Sequence, residues 1–404
     1  MRGKVLGWLW FEAPQGRNGD AKVQGKEQEV HSDPGLLTEV RKYGHFDPNG
    51  CLTCGSCTVS CSAATDTASF PRKIVRYVRL GLRSMLLASL EPWLCFDCRD
   101  CCVSCPRQSV PGEGMMTLRR YLTAQYDWTG LSARFYQSKA WEIGALIVVC
   151  AVVVVLVILF HGPIVTERVE LNTFAPVPIV HAFDMILACV LSFFLLTNTF
   201  RMYWFTMHTV RKVRVPLRHY IAGVGTLIYH VVTQVGFRQC ATRGRWIKHW
   251  LLVSGYALMF GLVVVCLKWF QTDKVYPFYH PQRWTGYYAT AVLIVTSVDI
   301  LIGRIRKREE IHKYSDLSDW LFPILLLLTA LSGIAVHIVR YMGLPLTTYC
   351  VYTAHLAIAV PMLVVEVPFG KWTHLMYRPL AIYLQTVRDS AEAESARRAA
   401  ASVT

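Results

Sequence analysis

Charge is missing from long stretches of this 404-residue chain. Residues 143–160 and 250–267 carry none over 18 positions each, 321–339 none over 19, and 344–365 none over 22. Apolar runs of that length can cross a bilayer as helices and argue against an ordinary water-soluble domain. Acidic residues are scarce too, 27 Asp and Glu against 42 Lys and Arg. No Gly-rich dinucleotide fingerprint follows an expected strand, and neither a Ser/His/Asp set nor a phosphate-cradling loop stands out. Hydride transfer, if it accompanies this chain's work, therefore belongs to other subunits. No signal-peptide pattern opens the sequence; Trp8, Trp10 and a polar, Gly-rich stretch read as a flexible or partner-bound arm over 1–34.

Cysteine, by contrast, is concentrated. Eight of the 14 fall into two matching quartets, Cys51-x2-Cys54-x2-Cys57-x3-Cys61 and Cys95-x2-Cys98-x2-Cys101-x3-Cys105-Pro106. This is the spacing of bacterial ferredoxins with two [4Fe–4S] clusters, in which three cysteines of a tight run hold one cluster and the fourth serves the other. The expected sets are Cys51, Cys54, Cys57 and Cys105 for one cluster, and Cys95, Cys98, Cys101 and Cys61 for the second. Zinc is the rival, since four-cysteine structural sites also use C-x2-C pairs; two triple runs would be unusual for it. Ser62 stands where ferredoxins usually place proline. Cys102, beside a ligand, reads as a spectator or a thiol behind the ligands. Residues 71–90 have apolar positions at roughly helical spacing, predicting a helix packed beside the clusters. The domain over 35–135 is thus expected to be an alpha-helical ferredoxin.

After residue 135 the chain reads as a membrane domain, 136–385, consistent with 53% hydrophobic residues and a mean hydropathy of +0.33. Six spans are expected, about 141–161, 178–204, 249–269, 284–303, 319–341 and 344–369; the second carries Asp184 and Arg201, the fourth Asp299. The fold class is therefore all-α, with both ends of the bundle on one side. Residues 205–248 hold eight Lys/Arg and no Asp/Glu, and 304–318 hold five Lys/Arg. By the positive-inside rule these connections, the cysteine domain and a tail over 386–404 are cytoplasmic, in the inner membrane's reducing compartment, where thiolates stay unpaired. The segment 217–238, interrupted by His219, His230 and Gln234, reads as an in-plane helix. The formal charge of +15 is explained by topology and lipid head groups, without nucleic acid.

Imidazole is the usual axial ligand of membrane b haems, and a bis-histidine haem needs two at one depth on facing helices. In this topology His249 and His374 lie at the cytoplasmic level, and His337 and His355 in the outer half, giving an inner and an outer pair. His181 and Met259 are alternatives for the outer axial positions. If 355–374 were wholly helical, its 19 steps would advance about 28 Å. No span carries histidines 13 or 14 apart, unlike cytochromes b in which two haems share one helix pair. His181, Asp184 and Lys268 lie near the outer surface with His280, and are candidates for a quinone site.

The stretch from His355 to Pro379, through PFGKWTHLMYRP, resembles the last span of the nitrate reductase gamma subunit and of heterodisulfide-reductase-type b cytochromes. In those families, histidines equivalent to His355 and His374 ligate different haems. His249 matches another family ligand, but Met259 stands where a further histidine is expected. The amino-terminal part resembles the C subunit of heterodisulfide reductase. The fusion of the two resembles the C subunits of quinone-interacting membrane-bound oxidoreductase complexes over roughly 35–385. The resemblance implies two soluble flavin and iron–sulfur partners resembling heterodisulfide reductase A, and menaquinol electrons passing towards adenylylsulfate reductase in sulfate respiration.

The expected function is that of a membrane component of a quinol oxidoreductase, with electrons moving from menaquinol past two b haems and two [4Fe–4S] clusters to cytoplasmic partners. One alternative reverses the flow, reducing quinone with electrons from a soluble dehydrogenase. Another is a non-redox anchor with zinc in the cysteine sites and no haem.

Overall fold

Short helices broken by glycine and proline build the amino-terminal part of the computed structural model, which describes residues 31–64, 70–209, 215–239 and 243–402. The arm expected over 1–34 lies outside the described residues except for 31–34, and so do 210–214 of the basic connection. Helices Leu36–Arg41, Arg72–Arg79, Arg83–Leu87, Glu91–Leu94 and Pro111–Tyr126 close over a core that includes Leu36, Ile74, Leu86, Trp93, Leu118 and Tyr121. The single helix predicted over 71–90 is corrected to two. Gly81 takes φ +68°, a left-handed conformation that costs glycine little. Its carbonyl accepts from the Asp33 amide at 2.8 Å, and Arg83 Nε donates to Asp33 Oδ2 at 2.9 Å. A tie to the preceding chain segment interrupts the helix there.

Six helices among the described residues are long and apolar enough to cross a membrane: Lys139–Phe160, Val177–His208, Gly244–Val264, Pro281–Ile305, Leu317–Tyr341 and Pro345–Glu366. At 1.5 Å per residue, 22 residues span about 33 Å, the thickness of a hydrocarbon core. Their outer faces bear Ile147, Leu159, Ile186 and Val295, each more than half exposed, and lipid is the solvent that tolerates such surfaces. The first of the six packs on the sixth, the sixth on the fifth, the fifth on the fourth and the fourth on the third, while the second meets the third more sparsely. No strand occurs among the described residues.

Polar ties fix which helix ends meet the cysteine domain. Arg201, near the end of the second long helix, donates to Tyr126 O at 2.8 Å. Arg245 at the start of the third reaches Asp97 O at 3.1 Å, and Arg120 reaches Asp319 Oδ2 at the start of the fifth at 2.8 Å. These ends alternate as an up-and-down bundle requires. Helix Leu217–Thr233 packs along the last helix, His374–Ala401. The tail expected over 386–404 is thus mostly the continuation of that helix. Tyr377, Ala381, Leu384, Val387 and Ala391 are its buried face, a spacing that was legible in the sequence. Tyr377 enters the core of the cysteine domain, 5.0 Å from Trp93 and 5.5 Å from Tyr126 between ring centres.

Candidate functional site

The two cysteine runs fold alike. Thr53 and Asp97 both take positive φ, as do Gly55 and Arg99, and each of the latter pair precedes a one-turn helix, Ser56–Val59 or Asp100–Val103. The Thr53 amide points at Cys51 Sγ and the Asp97 amide at Cys95 Sγ, each at 3.4 Å. Amides aimed at sulfur stabilise thiolate charge.

The thiols sort into two recesses in a crossed arrangement. Cys51, Cys54, Cys57 and Cys105 line one, with Phe46, Val75 and Pro111 closing it. Cys61, Cys95, Cys98 and Cys101 line the other, with Phe70, Phe96 and Met115. Cys102 lines neither; it sits behind the second recess and accepts from the Gly112 amide at 3.3 Å. Burial pushes the Cys95 thiol up to about 11; a bound metal would favour its thiolate. Among the described residues no three His, Cys, Asp or Glu side chains are poised around a single metal ion.

The histidines divide by level. His374 Nδ1 is 2.6 Å from the Lys371 carbonyl, which makes it the donor and leaves Nε2 as the lone-pair nitrogen, the tautomer an axial ligand needs. Burial pushes this imidazole down to about 4, keeping it neutral. His249 lies within electrostatic reach of it, and its buried Nδ1 has no hydrogen-bond partner among the described residues. The stretch from His355 to His374 is not wholly helical: the sixth long helix stops at Glu366, and a new one starts at His374.

In the other half of the bundle, His355 Nδ1 is 2.9 Å from Ser332 Oγ, with its ring against Gly333. His337 is tied at both nitrogens, Nδ1 to Arg283 Nη1 at 3.3 Å and Nε2 to the Tyr287 hydroxyl at 2.9 Å. Iron at His337 would have to displace one of them. Asp184 lies within electrostatic reach of His181 and Tyr352, and its Oδ2 is buried without a hydrogen-bond partner among the described residues. Lys268 is exposed on a short helix, Leu267–Phe270, and is not brought into an ion pair with Asp184. His280 instead caps the fourth long helix, accepting from the Gln282 amide at 3.3 Å.

Sequence reasoning missed what joins the two halves of the site. Phe96, from the wall of the second recess, meets Phe237 edge-on at 5.9 Å. Phe237 stacks on His249 at 4.3 Å. The Arg378 guanidinium lies over both phenyl rings, at 4.4 Å and 4.5 Å. Arg378 stands four residues after His374, one helical turn on; that spacing was the available signal.

No family model matches the chain, and no solved structure matches it. Among curated proteins it is 35% identical over 77 residues to a protein of Archaeoglobus profundus described as like the C subunit of heterodisulfide reductase, covering 19% of this chain and 41% of that one. It is 42% identical over 94 residues to an iron–sulfur C subunit of the CoB–CoM heterodisulfide reductase of Methanocaldococcus jannaschii, covering 23% and 50%. Over 70 residues it is 41% identical to the C subunit of the ferredoxin:CoB–CoM heterodisulfide reductase of Methanosarcina acetivorans, covering 17% and 28%. The chain spans about half or less of the length of these relatives. Over a short segment it is therefore similar to the iron–sulfur C subunits of a redox complex.

Proposed function

We propose that this chain is the membrane subunit of a quinone-linked oxidoreductase and carries electrons between a quinol in the bilayer and soluble partners on the cytoplasmic side. The observation that carries the reading is the contact series from Phe96 in the cysteine recess through Phe237 to His249. A chain that only anchored a complex would have no need to bring the second recess and the inner histidine pair together through packed aromatic rings.

Cys51, Cys54, Cys57 and Cys105 fit one [4Fe–4S] cluster, and Cys95, Cys98, Cys101 and Cys61 a second. His249 and His374 fit the axial positions of one b haem, and His355 one axial position of another; these groups supply one-electron carriers. The chain's own residues do the rest. The Lys371 carbonyl holds the His374 tautomer, and Ser332 orients His355. Asp184, with His181, supplies a proton acceptor at the outer level for quinol oxidation. The relatives' names favour soluble partners of heterodisulfide reductase type; menaquinol as donor, partners resembling heterodisulfide reductase A, and adenylylsulfate reductase as acceptor follow the fusion resemblance.

The test is direct. Full-length protein in lipid, mixed with a menaquinol analogue, should show reduced b-type absorption bands and then the paramagnetic signal of reduced [4Fe–4S] clusters. A colourless, zinc-containing protein without either signal would refute the reading.

A further inference from the structure

The first cysteine recess is the one turned to solvent. Of the eight quartet cysteines Cys54 alone is exposed, whereas Cys95 and Cys101 of the second recess are buried. Against the first recess lies a shallow open hollow, with Cys54 and Arg72 common to both; Val59, Ser60 and Ser104 also line it. The residue before each of these serines is a valine at the end of a one-turn helix. Both are bare, Val59 90% exposed and Val103 76%. Leu52, in the wall of the first recess, is 65% exposed. These three lie outside the long apolar helices, so the hydrocarbon of a bilayer does not account for their exposure.

The border of this apolar patch is basic. Helix Arg72–Arg79 buries Ile74, Val75 and Val78, which leaves Arg72, Arg76 and Arg79 along another side at i, i+4 and i+7. Arg72 Nη1 comes within 3.3 Å of the position a Cβ on Gly55 would take, and Arg79 Nη1 donates to Cys51 O at 2.8 Å. Both contacts set the stripe against the first cysteine run. Arg107 adds a fourth cation in the wall of the same recess and is exposed. The described carboxylates at the cysteine runs are engaged elsewhere: Asp47 pairs with Arg41 and Asp97 with Arg99, while Asp100 acts on Cys61 of the other recess. Apolar side chains beside an exposed cysteine and bordered by charge of one sign complement an apolar surface bordered by the other.

We propose that this face, with Val59, Val103 and Leu52 as its apolar part and Arg72, Arg76, Arg79 and Arg107 as its basic part, docks a soluble electron carrier whose contact surface is acidic. The inference rests on the proposed function and deepens it, naming where the soluble partner binds and what charge it presents. In the docked pair one electron passes from the reduced centre of Cys51, Cys54, Cys57 and Cys105 to the partner's oxidised carrier, and no bond or proton is exchanged. The two recesses then have opposite duties. The second meets the bundle through Phe96 and Phe237, and the first meets the partner at Cys54. The arginines steer the encounter, and a small apolar part suits a contact that must also release.

The test uses full-length protein in phosphatidylcholine nanodiscs and, as probe, an acidic [2Fe–2S] ferredoxin. Binding is measured at low and high salt, and electron exchange from ferredoxin reduced beforehand is followed by stopped flow. Wild type should bind, more weakly as salt rises. Val59→Glu and Arg72→Glu should each weaken binding about tenfold or more and slow exchange. Arg397→Glu, the same charge change at an exposed position near the end of the last helix, should alter neither. Dithionite should reduce every variant as fully as wild type, which separates a lost contact from a lost redox centre. If Arg72→Glu fails to assemble, Arg76→Glu and Val103→Glu take its place with the same expectation. A reducible wild type that does not bind, or binding unchanged in all these variants of the face, overturns the proposal alone. So does a dimer of this chain that Val59→Glu splits while ferredoxin binding persists, which would make the face a contact between copies. A wild type with no reducible centre overturns the functional reading itself and this inference with it.

Discussion

The Ser60 and Ser104 hydroxyls lie 2.7 Å apart although the residues are 44 positions distant in sequence. They are equivalent residues of the two cysteine runs, each directly after its one-turn helix. Their contact marks an approximate two-fold axis about which the runs exchange, and so accounts for Cys61 facing the second recess and Cys105 the first.

That exchange makes cluster ownership testable. Replacing Cys61 by Ser should damage mainly the cluster of Cys95, Cys98 and Cys101; replacing Cys105 should damage mainly that of Cys51, Cys54 and Cys57. Paramagnetic resonance of each variant separates the two. Sparing of the Cys95 cluster in the Cys61 variant would sink the crossed assignment.

The histidine levels predict two separable haems. His249→Ala and His374→Ala should each remove the same b-type component from a redox titration, and His355→Ala the other. His337→Ala should leave both, because Arg283 and Tyr287 already occupy its nitrogens. Loss of different components from the His249 and His374 variants would break the inner pair.

Arg378 should influence both sides of the junction. Its cation sits over Phe96 and Phe237, where positive charge favours the reduced state of neighbouring centres. In Arg378→Gln the potentials of the inner haem and the second cluster should both fall, with cofactor content unchanged. Potentials equal to wild type would show that the guanidinium serves packing alone.

On the proposed function, Asp184→Asn should slow quinol oxidation while the redox centres remain assembled and reducible by dithionite. His181→Ala and Lys268→Ala test the same site, with Lys268 expected to matter least because it is exposed and unpaired with Asp184. Wild-type rates in all three, alongside loss of activity from changes near His374, would move quinone to the cytoplasmic leaflet.

Packing of the cysteine-bearing helices against the long helices should depend on Arg120. Arg120→Met leaves Asp319, 7% exposed, with Lys371 as its remaining ion-pair partner, and breaking a buried pair costs about 3–5 kcal/mol. Thermal unfolding should shift downward. An unchanged midpoint in the single variant would contradict the junction's energetics.

Cysteine spacing and charge-free runs are local properties, and they carried the two matching cysteine runs and the six long helices into view from the sequence alone. A ligand three residues from its neighbour, or 22 uncharged residues, imposes its consequence within a few turns of chain. The rest depended on contacts between distant segments. Asp33, reaching Gly81, split the expected helix over 71–90. The buried face of Tyr377, Ala381, Leu384, Val387 and Ala391 carries one helix through the segment expected as a tail from 386 on, although their spacing was already visible. Neither the ties at both nitrogens of His337 nor the stacking of Phe237 on His249 has any signature in local pattern. Each arises where helices far apart in sequence pack together, and only the packed chain decides which polar groups find partners and which are left for a proton or a metal.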